Sequence, residues 1–155
     1  MSVEIGNDPK FAKFAETLKR LGEKAAYIGV LASGKGNEPH SGSGDEPVTQ
    51  LQVATWMEFG TSDDEGDEIV PERSFLRETL RLTKPEVEAF VTKRVRDCLT
   101  GKIAPDAVHE ATGIKVVGLC QEHIAQGINP PLKYREGTPL IDTGQLRSSI
   151  TYEVR

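Results

Sequence analysis

The chain has no apolar run approaching the roughly 20 residues that a membrane-crossing helix needs, so no membrane partner is expected. Its opening residues, Met1-Ser2-Val3-Glu4, lack the basic-then-apolar pattern of a secretory leader, which predicts synthesis in the cytoplasm. Cysteine is scarce. The two present, Cys98 and Cys120, fall in separate helical patterns without metal-ligand spacing, and read as reduced core thiols. Histidine is nearly as sparse, with three. His40 is alone in its loop, and His109 and His123 lie two heptads apart, about 21 Å along a straight helix, too far to share a metal. Both are expected on the surface, and neither a metal nor a cofactor is expected. Excess positive charge is also missing: the net charge is −5 and only 6% of residues are aromatic, which argues against a nucleic-acid module. The basic groups Lys93, Arg94 and Arg96, and Arg73, Arg77 and Arg81, read instead as helix pairs for Glu72, Glu78, Glu86 and Glu88.

What is present suits one domain over residues 1–155, large enough for a real core. The hydrophobic content of 37%, with 15 Gly and 9 Pro, leaves part of the chain as loop that orders only against a partner. Asp8-Pro9 is a cap with proline at the first helical position, and Phe11, Phe14, Ala15, Leu18 and Leu21 then recur at helical spacing up to Gly22. Ala25–Ala32, short and apolar, predicts a central strand. Residues 34–47 have no periodicity and almost no apolar side chain, and predict a mobile loop; Gly34-Lys35-Gly36 lacks the spacing of a phosphate cradle. Thr49 can cap a helix to Phe59, ended by Gly60, with Leu51, Val53, Ala54 and Met57 inward. Trp56 and Phe59 are expected in the core, a partner subunit being the alternative. Glu58 sits near the helix end, where the dipole does not favour a carboxylate. It is either simply exposed or held by a specific partner, Arg73 or Arg77.

The five acids of Thr61–Glu68 do not match calcium-loop spacing and read as a solvated, self-repelling loop. Pro71–Leu82 predicts a short helix with Phe75, Leu76 and Leu80 inward. Thr83-x-x-Glu86 is a capping-box pattern that would start a second helix ending by Gly101. Pro105–Gln126 is the longest helical pattern, with Ala107, Ala111, Ile114, Gly118 and Ala125 on one face. After a proline-bounded connector, Leu140-Ile141 lead into the turn Asp142-Thr143-Gly144. A turn centred on Leu146 follows, then a strand over Ser148–Val154 with Ile150, Tyr152 and Val154 alternating. The fold class is therefore α+β: a small mixed or antiparallel sheet, with Val3–Ile5 a further candidate strand, helices packed on one face, and long loops.

Two blocks carry a resemblance. Pro130-Pro131-Leu132, Pro139–Gly144 and Leu146–Ile150 resemble the closing motif of bacteriophage tail-completion and neck proteins, also called minor tail or virion morphogenesis proteins. Ala54–Thr61 and Ile69–Leu76 resemble that family's aromatic-Glu-aromatic-Gly-Thr and Ile-Pro-x-Arg-Pro-Phe runs, in the same order. This chain departs from the pattern at Glu72 and Ser74, carries its acids as a local insertion, and has a short connector. The resemblance implies a non-enzymatic virion component at the neck or tail top of a long-tailed phage. It would assemble as a homo-oligomeric ring, sixfold in the particle, against neighbouring neck and tail proteins and close to DNA in the channel. The structural or interface candidates are Trp56, Glu58, Phe59, Gly60, Arg73, Phe75, Leu140, Asp142, Thr143, Gly144, Leu146 and Ile150.

Two other readings stay open: a non-virion assembly factor, and an aspartic-protease-like enzyme built on Asp142-Thr143-Gly144. The second has little room. Such enzymes pair two aspartates over a water, the chain has one copy of the motif, and few residues follow Gly144 to build a cleft.

Overall fold

The computed structural model describes residues 8–40, 47–131 and 144–155. The expected strand at Val3–Ile5, the candidates Leu140, Asp142 and Thr143, and most of the proline-bounded connector lie outside the described residues. The fold is α+β, with five α-helices and short antiparallel strand pairs among the described residues.

Helix α1 (Pro9–Gly22) starts where the Asp8 side chain accepts the Lys10 N–H at 2.8 Å, and Lys19 and Arg20 occupy its last turn. Strand β1 (Ala26–Val30) follows. A tight turn with a 3₁₀ helix at Lys35–Asn37 comes next, its Gly34 and Gly36 N–H groups both donating to the Leu31 carbonyl. Helix α2 (Gln50–Phe59) carries the expected Thr49 cap as a full capping box: the Gln52 N–H donates to Thr49 Oγ1, and the Thr49 N–H to Gln52 Oε1. Strands β2 (Thr61–Ser62) and β3 (Glu68–Val70) then pair as a small hairpin where the sequence suggested only loop. The Asp63 carboxylate accepts the Glu65 and Asp67 N–H groups, so this acid organises the tip while the charges stay outside.

Helix α3 runs unbroken from Arg77 to Leu99, in place of the two helices expected. Pro85 lies inside it and removes one backbone bond, a cost of about 3 kcal/mol in an isolated helix. Thr83 does not cap a new helix; its hydroxyl bonds back to the Thr79 carbonyl at 2.7 Å. The helix continues because both sides of the proline lie along helix α4 (Pro105–Gln126), with Val87 against the core. Within it Leu80 is 45% exposed rather than inward.

The buried face of α4 also differs from the small-residue face expected. Val108, Gly113, Val116, Cys120 and Ile124 are buried, whereas Gly118 and Ala125 are exposed and Ile114 is 61% exposed. Close approach comes at Gly113, whose missing side chain leaves room for the Tyr152 ring. His109 and His123 are half-buried rather than on the surface. His109 Nε2 lies 3.1 Å from the Leu21 carbonyl, and His123 Nδ1 lies 2.7 Å from Thr79 Oγ1.

A short helix α5 (Gln145–Ser149) leads directly into strand β4 (Ile150–Val154), so the closing strand starts two residues later than its alternation suggested. β4 pairs antiparallel with β1, from Ala26↔Val154 to Val30↔Ile150. Among the described residues this sheet has two strands, so β1 is not central. Helix α4 crosses both strands and contacts α3 on its other side. The core joins Val30, Ala54, Phe75, Val116, Cys120, Ile124, Ile128, Leu146 and Ile150. Among the described residues no helix is long and apolar enough to cross a membrane.

Candidate functional site

The sequence candidates that the structure brings together surround one buried carboxylate. In α2 the inward positions are Gln50, Val53, Ala54 and Glu58. Glu58 is therefore 4% exposed, and its carboxylate reaches past the end of its own helix to the first turn of α3. Oε1 accepts from the Ser74 hydroxyl at 2.7 Å, and from the Arg77 N–H and Nε at 3.0 Å each. Oε2 accepts the Phe75 and Leu76 N–H groups, both at 2.9 Å. A carboxylate poorly placed at the C-terminus of one helix thus serves the orphan amides at the N-terminus of another.

Burial pushes the Glu58 pKa up, but the hydrogen bonds from Leu76, Ser74 and Arg77 outweigh it and hold the group below the ordinary carboxylate range. Five donors in all converge on it. The arrangement is a latch that joins the end of α2 to the start of α3.

Arg77 closes the outer side of this latch. Its Nη2 donates to the Glu58 carbonyl at 2.6 Å and to Glu72 Oε1 at 2.8 Å, and the guanidinium stacks 4.6 Å from the centre of the Phe59 ring. Of the two partners considered for Glu58, Arg77 is the one that bonds it. Arg73 turns the other way. It is 5% exposed, its N–H donates to the Met57 carbonyl at 2.7 Å, and its guanidinium donates to the carbonyls of Pro130 at 2.8 Å and Pro131 at 3.3 Å. Arg73 therefore ties the α2–α3 junction to the end of α4. Phe75, fully buried, drives the intervening backbone into the core.

Gly60 makes the turn from α2 into the hairpin at φ 71°, ψ 173°, a region open essentially to glycine alone. A Cβ there would lie 2.9 Å from the Val70 carbonyl oxygen and 3.0 Å from the Glu72 nitrogen. Gly60→Ala is expected to destabilise the protein by about 2 kcal/mol or more in urea unfolding. A loss below about 0.5 kcal/mol, the range of an ordinary surface substitution, would contradict this geometry.

Trp56 and Phe59 do not enter the core. They are 37% and 60% exposed, Phe59 lying beside the latch under the Arg77 guanidinium, and Ile69 on the neighbouring hairpin is 64% exposed. Leu146 and Ile150 are buried, and share the core with Ala54 and Phe75, so the two sequence blocks meet through packing. Gly144 precedes α5 in the left-handed conformation, φ 67°.

Sequence reasoning missed three contacts. Ser74, a departure from the family-like pattern, supplies a hydroxyl to Glu58. Gln50, 3% exposed, donates to Gln145 Oε1 at 3.0 Å and so links α2 to α5. Thr79, fully buried, bonds both the Phe75 carbonyl and His123. Only a polar residue at an inward helical position could have flagged the last two. Both cysteines are buried, and desolvation raises their thiols, that of Cys120 to about 11, away from nucleophile chemistry. Comparison with protein-family models, curated proteins and solved structures gave no match.

Proposed function

We propose that this chain is a structural virion protein of a tailed bacteriophage, acting as one subunit of a ring at the head–tail neck or the top of the tail. The observation that carries this reading is a set of large apolar side chains left exposed on the elements that the Glu58 latch joins. Trp56, Phe59 and Ile69 stand exposed on α2 and the hairpin, while Glu58, Arg77 and Gly60 fix the backbone beneath them. Large apolar side chains held outward on a fixed base characterise protein-contact surfaces. Trp56, Glu58, Phe59, Gly60 and Ile69 belong to the runs resembling neck proteins, and Arg77 follows directly after them. The mechanism is geometric: each subunit offers preformed surfaces to its neighbours and performs no bond chemistry.

The reading is tested by removing the chain during particle assembly. Lysates lacking it are expected to accumulate filled heads and finished tails that do not join, and purified protein added back should join them. Normal joining without the chain would overturn the proposal. Asp142→Asn should leave joining intact, whereas loss of a proteolytic activity in a folded variant would favour the enzyme reading instead.

A further inference from the structure

The groove between α1 and the end of α3 is apolar inside, basic at its rim and uncovered among the described residues. Helix α1 buries none of its side chains, and Phe11, Phe14 and Leu18 on one face remain 50%, 42% and 44% exposed. Beside that face lies a groove of about 340 Å³, with Phe14, Thr17, Cys98 and Leu99 inside and Lys10 and Lys13 at the rim. No carboxylate lines it. Neither lysine ammonium forms an ion pair among the described residues.

The opposite chemistry sits at the other end of α3. The β2–β3 hairpin joins α2 at Gly60 and runs through residues 71–76 into the first turn of α3, whereas the groove lies at the last turn. Twenty-three helical residues separate the two, about 34 Å at 1.5 Å per residue. Asp63, Asp64, Glu65, Asp67 and Glu68 are all exposed on the hairpin, and beside them Ile69 projects with 64% of its surface free. None of these carboxylates forms an ion pair among the described residues.

We infer that the groove receives the hairpin of a second copy of this chain, with Ile69 against Phe14 and Leu99 and the hairpin acids facing Lys10 and Lys13. Opposite charges at opposite ends make the contact heterologous: one subunit gives its hairpin forward and takes another behind. Repetition of such a contact closes into a ring or runs on as a filament. The inference deepens the ring reading above and rests on it only for closure. The contact itself needs two copies and no virion.

The test places the photo-crosslinking residue benzoylphenylalanine at Ile69 in the full chain, mixed at high concentration with ¹⁵N-labelled protein so that crosslinks between copies are recognised by mass. Crosslinks between copies are expected to fall within Lys10–Leu18 or Cys98–Gly101. Their yield should drop several-fold when the acceptor carries Lys10→Glu and Lys13→Glu, drop with added salt, and recover when the hairpin carries Asp64→Lys and Glu65→Lys. All these positions are exposed, so the variants should keep the native circular dichroism spectrum. Crosslinks elsewhere, an absence of crosslinks between copies, or a yield indifferent to charge reversal would overturn the inference. A chain that joins heads to tails but lacks this crosslink keeps the proposed role and loses only the proposed contact.

Discussion

Replacing Glu58 with alanine is expected to destabilise the protein by about 3 kcal/mol or more, a large share of the 5–15 kcal/mol typical of a domain. The reason is not the ion pair with Arg77, whose guanidinium is half in solvent and is expected to contribute little. It is that the Phe75, Leu76 and Arg77 N–H groups and the Ser74 hydroxyl all lose their acceptor at a site water reaches poorly. Glu58→Gln should fall between the two. It preserves shape and one good acceptor, but turns an amide N–H₂ towards groups that only donate.

The pH dependence follows from the same contacts. A carboxylate whose folded pKa is depressed contributes stability that is fully present above its unfolded pKa, near 4.5, and is lost as pH falls through the lower folded value. Urea midpoints measured from pH 7 down to pH 3 should therefore fall for the native chain below about pH 4.5, and fall less for Glu58→Gln. Identical pH profiles would mean that the latch holds no charge.

Introducing aspartate at Ile150 should have the other largest effect, more than about 4 kcal/mol and enough to prevent stable folding. Ile150 is 3% exposed, heads β4, pairs with Val30 and packs in the central core. The described residues offer no cation in that core to pair a buried carboxylate. Leu146→Asp belongs to the same class, since Leu146 is 4% exposed one turn earlier. Ile150→Val should cost only about 1 kcal/mol, which separates the effect of charge from that of lost volume. Near-ultraviolet circular dichroism and urea unfolding report the outcome. A folded Ile150→Asp protein of native stability would remove the closing segment from its organising place.

The sequence carried much of the fold because local signals and tertiary packing agreed. Asp8-Pro9 and Thr49 started helices where expected, Gly60 ended one, and the period-two run through Ile150 became β4. The misreadings share a cause. The capping-box pattern Thr83-x-x-Glu86 argued for a new start, and was outweighed by contacts between α3 and α4 that periodicity alone does not reveal. The inward face of α4 was misjudged because that helix is apolar on several sides, so its neighbours, not its pattern, choose the buried stripe.

The site was half legible. The awkward position of Glu58 at a helix C-terminus suggested a partner, and Arg77 was one of two named. That three backbone amides would join it depends on the turn through Ser74 and Phe75, which brings the start of α3 against the end of α2. Trp56 and Phe59 looked like core because they are large and apolar. Burial of Glu58 on the inner side of α2 is what leaves them outside.

The central claim is that this chain is a part of the virion neck, built to be held by its neighbours. Gold-labelled antibody against it, applied to intact particles from its source, tests that claim most directly. The account expects label confined to the head–tail junction. Label elsewhere on the particle, or none at all with an antibody that does bind disrupted particles, would contradict it.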